Sequence, residues 1–156
     1  MGASPFAEDD SVIPQARFFS EVVPDSSLAH GAWLASALAA LSSTDLLFFD
    51  PDNGFEVPSK PSGTKHSNKY LYWNDLGLAW GRGASLLIFQ HFTREKREDF
   101  ISRLAVRLQQ EAPRAIVTRL RTNNALFLLA CQPENESKAE AALELVRSRR
   151  KGRINH

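Results

Sequence analysis

The chain has 156 residues, 43% of them hydrophobic and 24% charged, with a formal net charge of +1, a composition suited to one globular domain with its own core. No apolar run approaches the roughly 20 residues that span a bilayer. The opening residues, with Glu8, Asp9 and Asp10, lack the basic-then-apolar order of a secretory leader, so a cytoplasmic location and no membrane partner are expected. The single Cys131, inside the apolar run 125–131, excludes internal disulfides and Cys-rich zinc sites and reads as a small core residue.

Residues 1–16 hold Pro5, Pro14 and three acids without periodicity, and are expected to be a flexible lead-in. A single α/β domain is expected over 17–151, followed by a basic tail at 152–156. Arg17 to Val23 has the aromatic and β-branched content of a short strand, ended by Pro24-Asp25. Ser26 or Ser27 can cap the next helix, on which Leu34, Leu38 and Leu41 share a face. The apolar run Leu46 to Phe49 then stops at Asp50-Pro51-Asp52-Asn53-Gly54, so a strand delivers oxygen-bearing side chains onto a tight turn. Consecutive apolar residues suit a strand covered on both faces, as in a parallel sheet, where ligands sit beyond the carboxyl ends of strands.

Pro58 to Asn68 is a long polar loop, and Tyr70 to Gly81 reads as a short helix with aromatic anchors. Ala84 to Phe89 is a second apolar run, stopping at Gln90-His91-Phe92. Arg94 to Glu111 is the clearest helix, with Phe100, Ile101, Leu104 and Leu108 as its buried stripe. Ala115 to Arg121 and Ala125 to Cys131, joined through Asn123-Asn124, read as an antiparallel hairpin, and Glu136 to Lys151 as a last helix. This alternation predicts a three-layer α/β fold with a mostly parallel sheet and a C-terminal antiparallel hairpin.

If the two apolar runs are neighbouring parallel strands, roughly 4.8 Å apart, Asp50 and His91 lie close together. An Asp beside a His gives a general acid or base near neutral pH. The same Asp50 with Asp52 could instead hold a divalent metal, as a metal-dependent phosphodiesterase or nuclease needs. Charge is also uneven: residues 1–60 hold nine acids and two bases, leaving nine acids and seventeen bases for 61–156. Lys65, Lys69, Tyr70 and Tyr72 combine cations with aromatic faces, a mixture that can grip a phosphate backbone and stack a base, so RNA or DNA is a candidate partner. A non-enzymatic nucleic-acid- or protein-binding module is the remaining alternative. An incomplete sheet edge near the amino terminus makes a homodimer a further expectation.

DLLFFDPDNG resembles the fourth-strand motif of class I S-adenosylmethionine-dependent methyltransferases, in which an acid or Asn and a Pro follow an apolar strand. Asp50 and Pro51 match the amino-methylating DPPY form, while Asp52 and Asn53 stand where its second Pro and aromatic residue would be. ASLLIFQHF is similar to the fifth strand of that fold and the terminal hairpin to its sixth and seventh. More closely, FFDPDNGFEV, KYLYWNDL and LLIFQHF resemble an uncharacterised bacterial family distantly similar to large-subunit rRNA adenine methyltransferases of the J type, over about residues 17–133. The resemblance implies the second half of a Rossmann-like methyltransferase fold without the amino-terminal cofactor-binding half. It also implies S-adenosylmethionine as cofactor, and a substrate-side site made of Asp50, Pro51, Asp52 and Asn53 with His91.

Overall fold

The structure, a computed structural model, describes residues 15–149. In chain order it contains α1 (Ser27–Ala40), β1 (Leu46–Phe49), α2 (Trp73–Trp80), β2 (Ser85–His91), α3 (Arg97–Glu111), β3 (Ile116–Arg121), β4 (Ala125–Cys131) and α4 (Glu136–Arg149). Single 3₁₀ turns lie at Ser67–Lys69 and Pro133–Asn135. The strands form one sheet ordered β1-β2-β4-β3. β1 runs parallel to β2, and the expected hairpin β3–β4 folds back so that β4 pairs antiparallel with both β2 and β3.

The fold is therefore α/β, but its sheet is mixed instead of mostly parallel. Two of its three strand pairs are antiparallel because β4 inserts between β2 and β3, and residues 17–23, expected as a further strand, form none. Phe19 packs edge-on against Trp33 of α1 at 5.7 Å, the Trp33 indole N–H donates to the Glu21 carbonyl at 3.0 Å, and Arg17 donates to Ser43 Oγ at 2.9 Å. The aromatic content that suggested a strand anchors this segment along a helix.

Alternation along the strands decides which residues meet the core. Leu47, Leu86, Ile88, Leu126, Leu128 and Ala130 face one side and join a single apolar cluster with Leu34 and Leu38 of α1, Leu76 of α2, and the stripe Phe100, Ile101, Leu104 and Leu108 of α3. Three helices thus cover one face. On the opposite face α4 lies over the hairpin end only, across a gap of about 470 Å³ between Ile116, Thr118 and Cys131 and the helix residues Ala139, Leu143 and Arg147. The expectation that β1 is covered on both faces is corrected accordingly: Leu46 and Phe48 are 47% and 56% exposed. No described helix is long and apolar enough to cross a membrane. The expected lead-in and basic tail fall largely or wholly outside the described residues.

The long loop is tied down at its far end. The Asp25 carboxylate accepts the backbone N–H groups of His66 and Asn68, both at 3.0 Å, and Ser67 Oγ bonds the Asp25 carbonyl at 3.1 Å. These bonds satisfy donors at the start of the 3₁₀ turn Ser67–Lys69 that has no side-chain cap of its own.

Candidate functional site

The Asp50 turn is built by backbone and amide hydrogen bonds. Gly54 N–H closes the turn on the Pro51 carbonyl at 3.3 Å, and Pro51 is fully buried, which fixes where the turn leaves β1. Beyond it the chain zips to the segment before α2: Asn53 N–H to Lys69 O, Leu71 N–H to Gly54 O and Glu56 N–H to Leu71 O, each 2.9 Å. Phe55 then stacks on Trp73, ring centroids 4.2 Å apart and planes nearly parallel. FFDPDNGFEV and KYLYWNDL therefore form one structural unit.

Gln90 connects that unit to β2. It is buried, and its Oε1 accepts the Phe55 N–H at 2.8 Å while its Nε2 donates to the His91 carbonyl at 2.7 Å. Gly54 sits at φ +81°, and a Cβ there would fall inside the Gln90 amide, so only glycine fits. Sequence reasoning missed Gln90 as a positioning residue. Its signal was a polar residue in phase with Leu86 and Ile88, on the face that enters the core.

Asp50 follows Phe48 in the alternation and lies toward the open face, the side that also carries Phe89 and His91. The His91 ring packs edge-on to Phe89 at 4.7 Å. Partial burial raises the Asp50 pKa; the charge of His91 opposes that shift and the like charge of Asp52 adds to it. Asp50 and His91 are thus electrostatic neighbours without a direct hydrogen bond between them. Neither the Asp50 carboxylate nor the Asn53 side-chain amide takes a hydrogen bond from a described residue, whereas Asp52 lies 4.0 Å from Lys69 Nζ.

The four residues assigned to phosphate and base contacts separate. Lys65 and Lys69 are exposed and Tyr70 half-buried. Tyr72 is buried at 6% exposure and spends its hydroxyl on the Lys60 and Ser67 carbonyls, at 3.0 and 3.4 Å, so its ring presents no stacking platform. Four of the bases of residues 61–156 are paired locally: Arg103 meets Glu95, Arg107 meets Glu111, Arg121 meets Glu98, and Lys138 meets Asp45. Of these pairs only the last draws on an acid of residues 1–60, so most of the basic excess stands.

A second polar feature had no place in the sequence reading. His30 Nε2 lies 2.8 Å from Asp75 Oδ2, with both side chains about nine-tenths buried. The hydrogen bond to Asp75 raises the His30 pKa above 6.5 despite the opposing effect of burial, and a hydrogen bond to the Pro24 backbone adds to the rise. This pair clips the start of α1 to the start of α2. It lines a cleft of about 940 Å³ shared with Glu56, Tyr72, Trp73 and Arg107. Burial raises the Glu56 pKa there, with the Arg107 charge opposing. The sequence signal for His30 was its place one turn before Leu34 on the buried helical face.

Among the described residues no three His, Cys, Asp or Glu side chains come together so as to hold a metal ion, and Asp50, Asp52 and His91 form no such group. No protein-family model, curated protein or solved structure matches the chain.

Proposed function

We propose that the Asp50–Asn53 turn is the substrate side of a methyltransferase-like α/β domain that binds nucleic acid. One observation carries this reading: Asp50 and Asn53 hold open acceptor oxygens at the carboxyl ends of two adjacent parallel strands, on a turn made rigid by Gln90 and Gly54. Acceptors fixed at such an edge are suited to the N–H groups of an unpaired base or the ribose 2′-hydroxyl beside it. The adjacency of β1 and β2, with the hairpin closing the sheet beside β2, agrees with the fourth to seventh strands that the sequence resemblance implies. Lys69 lies beside the turn, its carbonyl accepting the Asn53 N–H, and Lys65 is exposed on the same loop, so both can meet phosphates.

S-adenosylmethionine, which the resemblance implies, is held in that fold on a glycine-rich turn following a strand and by an acid that binds the ribose. The described residues do not fit that requirement: the one Gly-x-Gly, Gly81-Arg82-Gly83, precedes β2, and β1 is followed by the acidic turn. The reading therefore assigns these residues binding and orientation of substrate, and no transfer step.

Fluorescence anisotropy with a labelled single-stranded RNA tests it. Binding should weaken about tenfold in Asp50→Ala/Asn53→Ala, equivalent to roughly 1.4 kcal/mol. In Lys65→Ala/Lys69→Ala, the slope of log K against log salt should flatten by roughly 1 to 2. Binding that neither variant changes refutes the proposal.

A further inference from the structure

We infer that α4 is a hinged strap, which lifts off the sheet about the turn Pro133–Asn135 while the rest of the domain stays folded, and so uncovers the Cys131 end of the open sheet face. This movement does not depend on the proposed function of the Asp50 turn. The four helices are held very unequally. α1, α2 and α3 each bury four or more residues, whereas α4, with 14 residues, buries none. Its apolar stripe, Ala139, Leu143 and Val146, is only half-buried, and a gap of about 470 Å³ separates the helix from Ile116, Thr118 and Cys131 beneath it. Dispersion falls off steeply across such a gap, so α4 gains little of the contact energy that holds the other three helices.

The strap has a fixed point, a hinge and a weak latch. Gln132, directly after β4, is buried; its Nε2 donates to the Trp80 and Ala84 carbonyls at 3.2 and 3.3 Å, and its backbone N–H donates to Ser85 Oγ at 3.0 Å. The next three residues form a single 3₁₀ turn, none of them buried, so the chain leaves a rigid anchor and can swing within one turn. The latch is the ion pair of Lys138 with Asp45 at 3.1 Å, whose side chains are 71% and 74% exposed. A pair so exposed contributes little and is screened by salt. Low burial of this kind marks segments that open at less than the global unfolding free energy. Once lifted, a helix of 14 residues is marginal in water, so opening brings partial unwinding. Ile116, Thr118 and Cys131 then join Leu87, Phe89 and Phe127 in one accessible face of the sheet.

Cys131 is the only cysteine in the chain and is 2% exposed, so it reports the opening without an added probe. Iodoacetamide labelling of the full chain, followed by intact mass, should proceed through α4 opening, with a dependence on urea much shallower than that of global unfolding. In hydrogen exchange, amides of 140–149 should exchange about tenfold or more faster than those of 125–131. Lys138→Ala should raise the labelling rate about threefold. Added salt should do the same for the wild type and not for that variant, since the reagent is uncharged and the latch is what salt screens. Leu143→Asp, on the sheet side of the helix, should raise the rate roughly tenfold or more, with a cooperative urea transition retained. Labelling that tracks global unfolding, strand amides that exchange as fast as those of α4, or a rate that neither variant changes overturns the inference. So does a salt effect equal in wild type and Lys138→Ala, or a Leu143→Asp chain that does not fold, which would make α4 part of the core.

Discussion

The Gln90 side chain accepts the Phe55 N–H at 2.8 Å and donates to the His91 carbonyl at 2.7 Å, so the end of β2 and the turn after β1 are one hydrogen-bonded unit. Gln90→Leu keeps the volume and removes both bonds, leaving a buried donor without its partner. It should lower stability by about 2 to 3 kcal/mol, read as a fall in the urea midpoint at unchanged slope. Gly54→Ala should cost at least as much, since it meets both the Gln90 amide and an unfavourable φ.

At Asp50 the expected signs for stability and binding are opposite. Its folded pKa is raised above 3.8, chiefly by burial, so a small penalty develops as pH climbs through the acid range and is fully present at neutral pH. Asp50→Asn should remove it, raising stability by about 0.5 kcal/mol or less because water still screens the group. The same variant should weaken RNA binding. Denaturation and anisotropy on one preparation check both; a destabilised variant would mean that the carboxylate has a structural partner.

The His30–Asp75 clip predicts a pH dependence of the same sense in a higher window. Because the folded pKa of His30 is raised, its contribution is fully present below the unfolded value of about 6.5 and is lost as pH rises through the higher folded value. The melting temperature should therefore fall across that window, and the step should flatten in Asp75→Asn. Equal pH profiles for the two proteins would exclude the clip as its source.

Asp25 should govern the loop rather than the core. Hydrogen bonds from Asn68 and His66 lower its pKa below 3.8, so its anchoring is present above that value and fades as pH falls below it. Asp25→Ala should speed limited proteolysis within 58–66 severalfold while the rest of the chain stays resistant. Mass mapping of the first cut checks this.

What was legible in the sequence was set by local periodicity. The span of β1, the hairpin, and the α3 stripe Phe100, Ile101, Leu104 and Leu108 could be read because apolar spacing determined them. Residues 17–23 could not be read correctly, since Phe19 uses its bulk against Trp33 in a contact that no local pattern specifies. Asp50 at the end of β1 was legible as a turn acid, but its rigid setting was not. That setting depends on Gln90, 40 positions away, and on the shape of one amide against Gly54. The His30–Asp75 pair spans 45 residues and announced itself only as two polar residues on otherwise apolar faces.

The sheet order also has a consequence for when the domain can form. β4, last of the strands in the chain, is an inner strand, and β3 reaches the sheet only through it. A nascent chain that has made β1, β2 and α3 still lacks the strand that joins them to the hairpin, so the sheet can close only after residue 131 has been made. Shortening the chain from its carboxyl end past that point removes an inner strand and leaves β2, paired on both sides in the whole sheet, with an open edge.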